Sequence, residues 1–194
     1  MSPSVDRLIS QLPTLRWQIA DYHTAIASGL LDDRPVELLA HRLIEMSPEG
    51  PEHAQISTDA ADYLRQQLRD RAIVRDAKPI TLPAVGSEPQ PDLAIAYPDR
   101  ATYRQRHPQP DEIFWVVEYA KTTLARDLDI KRLLYAEAGI PEYWVANLEG
   151  RELIRFWQPE AGDYRQRQTL TAGTVSPVCF PELALSVATM LRGW

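Results

Sequence analysis

Apolar residues recur at helical steps from Trp17 to Leu31, where Ile19, Tyr22, Ile26 and Leu30 share a face and Gly29 stands near the end, so the pattern predicts a first helix. Two short apolar-polar runs, Val36 to Leu39 and Arg42 to Met46, predict a hairpin that turns at Ala40 and His41. Pro51 to Asp70 opens with a proline suited to a first helical turn and carries Ile56, Ala60, Tyr63, Leu64 and Leu68 on one side, which predicts a second helix. Strand-like runs follow at Ile73 to Arg75, Ile80 to Leu82 and Leu93 to Tyr97. After a polar loop over 98–111, the unbroken apolar run Ile113 to Val117 predicts a central strand buried on both faces. Leu124 to Ala138 is helical in period, with Gly139 placed to end it and Pro141 beyond. Glu142 to Ala146, Leu153 to Trp157 and Tyr164 to Leu170 predict three more strands, the last two a hairpin near Gly162, and Pro181 to Leu191 a short terminal helix.

This order of elements around one sheet is that of an α/β sandwich with a mixed sheet. A length of 194 residues, 44% of them hydrophobic, suits one domain over 1–194, and the 16 prolines punctuate it without any repeat or low-complexity tract. The opening segment MSPSVDRLIS has no basic-then-apolar leader, and no stretch approaches the roughly 20 apolar residues of a membrane helix, so no membrane partner is expected. The single cysteine, Cys179, has no partner for a disulfide and fits a reducing compartment, the cytoplasm. A net charge of -6 argues against broad, charge-driven nucleic-acid binding, so any contact with DNA is local or metal-assisted.

In the helix after the central strand, Leu124, Leu128, Lys131, Tyr135 and Ala138 share one face, which puts a lysine in an apolar stripe. Such a lysine either snorkels to water or pairs with Asp127 one turn back, or it meets a buried carboxylate. Glu118 offers one: in Phe114, Val116, Glu118 alternate residues face the same way, and an acid closes an apolar face at the carboxyl end of a central strand. Asp92 follows Pro91 at the entrance to Leu93–Tyr97, where the proline breaks pairing and fixes the approach of the chain. Each residue alone has an ordinary structural reading. Together, two carboxylates can hold Mg or Mn while a lysine orients water or steadies phosphate charge, the parts that phosphodiester hydrolysis needs.

The blocks DYHTAIASGLLDDRPVELLAHRLIEMSPEGPEHA, SEPQPDLAIAYPD and VVEYAKTTLARDLDIKRLLYAEAGIPEYWVAN span most of the chain. In them the sequence resembles the Uma-two family of endonucleases, within the PD-(D/E)XK restriction-endonuclease-like superfamily. The resemblance implies a mixed four-stranded core sheet flanked by helices, with the N-terminal helix and β-hairpin beside it, and maps the family's acids onto Asp92 and Glu118. The superfamily's usual lysine, two residues after the strand acid, is Ala120 here, and Lys121 next to it points to the opposite face. Members of this family are similar in placing the lysine on the following helix, which is Lys131.

Secondary candidates are Glu45, at the end of the hairpin, and His53, at the start of the second helix. Glu45 reads as a solvated strand acid and His53 as a helix-start residue, or either as a further ligand or nucleic-acid contact. Lys121 reads as surface or as a phosphate contact, and the loop with Arg100, Tyr103, Arg104, Arg106 and His107 as solvated or as DNA-facing. Cys179, His23 and His41 form no nucleophilic or metal-ligand arrangement. The expected function is a metal-dependent endonuclease acting on DNA. The alternatives are a nuclease-fold module that binds nucleic acid or protein without cutting, and a homodimer in which Trp115, Trp144, Trp157 and Trp194 make contacts or, as easily, fill the core.

Overall fold

The computed structural model describes residues 15–193; the segment MSPSVDRLIS and Trp194 lie outside them. Helix α1, Ile19–Ala27, is opened by a reciprocal cap in which the Gln18 backbone donates to Asp21. It buries Tyr22 and Ala25, whereas Ile26 and Leu30 are exposed, so the buried face is not the predicted stripe. Strands β1 (Val36–Leu39) and β2 (Arg42–Glu45) form the predicted hairpin, with Ala40 and His41 both at positive φ. Neither residue favours that geometry. It is held from outside: Ala40 N–H donates to Ser87 Oγ, His41 N–H to the carbonyl of Gly86, and the His41 ring bonds the Trp17 carbonyl.

Helix α2, Pro51–Leu68, buries Ala60, Tyr63, Leu64 and Leu68, as its period predicts. Beyond it run β3 (Ile73–Asp76), β4 (Leu93–Ala96) and β5 (Ile113–Ala120). The predicted strand Ile80 to Leu82 does not form. It makes only isolated backbone bonds, such as Ile80 N–H to Pro89 and Leu82 N–H to Ser87, because the turn around Gly86 folds the chain back on itself. After β5 a helix runs over 124–137, a π-helical stretch Arg126–Lys131 leading into α3, Arg132–Glu137. Strands β6 (Glu142–Asn147), β7 (Glu152–Glu160) and β8 (Asp163–Leu170) follow, then the short pair β9 (Thr174–Val175) and β10 (Leu185–Ser186), then helix α4, Val187–Arg192.

The main sheet has six strands in the order β3-β4-β5-β6-β7-β8, two more than the resemblance implies, and is mixed: β5 and β6 are parallel, every other pair antiparallel. The parallel pair is joined by the crossover through α3, as parallel strands require. One face packs on α2 and α4 through Leu64, Leu68, Trp115, Val117, Trp144 and Met190. The other packs on α3 and the segments around Ile80 and Val85 through Val116, Tyr135, Ile140 and Tyr143. Trp115 and Trp144 are fully buried with ring centroids 5.6 Å apart, so they are core and not contact surface. No described helix is long and apolar enough to cross a membrane.

Candidate active site

A bulge between β4 and β5 sets the site's geometry. Ile95 pairs with Trp115 but Ala96 with Ile113, which leaves Phe114 as the extra residue. Phe114 packs with Phe180, centroids 4.9 Å apart, in the layer of α2 and α4. The expectation that it shares a face with Glu118 is corrected, since the bulge resets the alternation. Val116, Glu118 and Ala120 face α3, and β5 continues two residues past Glu118 instead of closing on it.

Lys131 comes down from the helix onto that face. Its side chain is 4% exposed, and Nζ lies 2.9 Å from Glu118 Oε1 and 3.4 Å from Glu37 Oε2. The Tyr135 hydroxyl donates to the same Glu118 oxygen at 2.8 Å, leaving Oε2 as that acid's less engaged atom. Lys131 neither snorkels nor reaches water. The π-helical stretch also turns Asp127 inward, where Thr123 Oγ1 donates to it at 2.6 Å. Wider π turns of this kind often mark functional sites.

Asp92 is placed by register. Leu93 pairs with Val117, so one further antiparallel step sets Asp92 opposite Glu118. Its Oδ2 accepts from the Tyr119 N–H at 2.6 Å, and its Oδ1 lies 3.1 Å from His53 Nε2 in the first turn of α2. Nε2 is buried, and it pairs with that carboxylate when the ring is protonated. Glu49, just before the helix, completes a group of three possible ligands whose atoms lie within 4.8 Å of one another, the one such group among the described residues.

Glu37, Asp92, Glu118 and Asp127 thus crowd around one lysine and one histidine, with Glu49 at the edge. Burial, and then the neighbouring acids, raise the pKa of Glu118 against the pull of Lys131; burial likewise raises Asp127. Burial acts to lower Lys131, but Glu118, Glu37 and Asp127 outweigh it and hold its proton more tightly than usual. For His53, too, burial acts downward, but the hydrogen bond to Asp92 and the charges of Asp92, Glu49 and Glu118 outweigh it, leaving the ring's pKa raised. An excess of buried carboxylates over cations is what a bound divalent ion would neutralise, and the donor set of carboxylates with one imidazole nitrogen fits one. These residues line a cavity of about 300 Å³, whose rim carries Arg126 and the ion pair Lys121–Glu52, 2.6 Å.

The structure therefore brings Asp92, Glu118 and Lys131 to one cavity, with His53 beside Asp92 and Lys121 paired at the rim. Glu45 is exposed on the hairpin and does not line it. Tyr103, Arg104, Arg106 and His107 line a separate cavity of about 650 Å³ with His23 and the buried Glu88, and Arg106 is spent on Glu112. Cys179 is exposed. Glu37 and Glu49 escaped the sequence reading, and Asp127 entered it only as a helical partner for Lys131. Glu37 carried one signal: it stands between apolar residues in a strand buried on both sides.

A six-stranded mixed sheet with one parallel central pair and helices on both faces is the architecture of a nuclease-like fold. The chain belongs to the Uma2 family, described as "Putative restriction endonuclease", whose model matches residues 20–188. A solved structure described as "a putative nuclease belonging to DUF820 from Anabaena variabilis ATCC 29413" has the same fold. Its TM-score is 0.62 and its identity 13%, with 98% of each chain covered. The search of curated proteins finds no match.

Proposed function

We propose that this protein is a divalent-cation-dependent endonuclease that hydrolyses phosphodiester bonds of DNA, with Asp92 and Glu118 holding Mg or Mn and Lys131 assisting. The observation that carries this reading is the buried Lys131–Glu118 pair in the wall of the cavity that Asp92 also lines. A bound cation would polarise the phosphoryl group and lower the pKa of its water. Lys131, held charged by its acids, is unsuited to act as a base and well suited to offset the negative charge that grows on the phosphoryl oxygens. Tyr135 and Glu37 fix the pair's geometry, and the Tyr119 backbone fixes Asp92. With a net charge of -6, the protein needs that cation to bring a phosphodiester into an acidic cavity.

The test is cleavage of supercoiled and linear DNA with Mg, Mn or EDTA. Wild type is expected to cut with metal and not in EDTA, and Asp92→Asn to cut at least ~100-fold more slowly. Cutting that persists in Asp92→Asn sinks the reading. Wild type that binds metal and DNA without cutting is instead a nuclease-fold binding module.

A further inference from the structure

We propose that the cation at this centre is ligated through nitrogen, by His53 Nε2 together with Asp92 and Glu49, so that the site selects a first-row transition ion over Mg. This rests on the metal-dependent reading above and adds to it the ligands and the ion.

Three observations support the assignment. His53 Nε2 is buried, and the polar atom beside it is a carboxylate oxygen of Asp92, 3.1 Å away. An imidazole and a carboxylate held side by side on the wall of an acidic cavity become a ligand pair for a divalent ion once the ring gives up its proton. Two atoms bound to one octahedral ion at about 2.1 Å stand roughly 3 Å apart when adjacent and roughly 4.2 Å when opposite. The His53–Asp92 spacing matches the adjacent case, and Glu49, exposed on the segment before α2, lies within 4.8 Å and needs only a small inward movement.

Two of the three ligands are already fixed in place. His53 sits in the first turn of an 18-residue helix whose buried face is anchored in the core, with the Tyr119 ring at 6.1 Å. The second oxygen of Asp92 is pinned by the Tyr119 N–H. Glu118, by contrast, has one oxygen engaged by both Lys131 and Tyr135 and so reaches a shared ion only through the other. Mg prefers oxygen ligands and keeps its waters, whereas imidazole favours transition ions, and this difference sets the selectivity.

The experiment is calorimetric titration of the metal-free protein with Mg, Mn and Co, together with pulsed EPR of the Mn-loaded protein to detect imidazole nitrogen. His53→Phe, which keeps a ring beside Tyr119, and Glu118→Gln are measured alongside, each checked for folding by its melting curve. Wild type is expected to bind Mn at least ~10-fold more tightly than Mg and to show the nitrogen signal. In His53→Phe the signal vanishes and Mn affinity falls at least ~10-fold, while Glu118→Gln keeps the signal. Equal affinity for Mg and Mn without a nitrogen signal overturns the inference, as does unchanged Mn affinity in His53→Phe. Nitrogen-ligated Mn in a protein that cuts no DNA would uphold the inference and overturn the endonuclease reading. Full Mg-supported cutting by His53→Phe, with Asp92→Asn dead, would do the reverse. Wild type that binds no divalent ion overturns both.

Discussion

Replacing Lys131 with methionine keeps most of the side-chain volume and removes the one charge that faces Glu118 and Glu37. Breaking a buried pair by removing one partner typically costs about 3–5 kcal/mol, because the remaining charge is left uncompensated. The site can relieve this by binding one more proton. The Glu118 carboxyl is already raised from 4.5 to about 8 beside Lys131, so wild type and variant share that proton between pH 5 and pH 7 and part only above about pH 8, by about 1.36 kcal/mol per pH unit. The sign follows from linkage. Without the lysine, the folded acid's pKa lies further above its unfolded value, so the variant's extra penalty is absent below about pH 8, where the wild-type acid begins to ionise, and grows as pH rises towards the variant's folded pKa. Urea unfolding of wild type and Lys131→Met at pH 7 and pH 9 reads this directly: the stability difference should widen by about 1–1.5 kcal/mol between the two. A difference that is small and flat with pH would refute the picture of a charge-compensating buried lysine.

Glu118→Gln keeps an acceptor for Tyr135 and removes one of the crowded acids, so its melting temperature should equal or exceed that of wild type while DNA cleavage falls at least ~100-fold. A large loss of stability would show that Glu118 is chiefly structural. Gly86→Ala tests the hairpin support: a Cβ there would lie 2.0 Å from the His41 ring, at a backbone φ of +53°. It should cost about 1–3 kcal/mol in thermal unfolding, and an unchanged melting curve would mean that the turn adjusts freely.

Local pattern was enough to place the hairpin at Ala40 and His41, the long helix from Pro51, and the strands on either side of the crossover, because side-chain period and chain punctuation reveal these without knowledge of neighbours. It also singled out Lys131, since a charge inside an apolar helical stripe is costly wherever the helix packs. Periodicity was blind where the backbone departs from its ideal repeat. The bulge at Phe114 and the π turn before Lys131 each shift the phase by one residue, and both are recorded in hydrogen bonds between elements, not in composition. Nor could it show that Glu37, from a hairpin more than ninety residues away along the chain, comes within 3.4 Å of the Lys131 ammonium, or that Glu49 and His53 meet Asp92. Those contacts depend on how α2 and the hairpin dock on the sheet. The sequence thus determined most of the elements and marked the lysine, while tertiary packing decided that it is buried and which acids surround it, because long-range burial, unlike period, has no local signature.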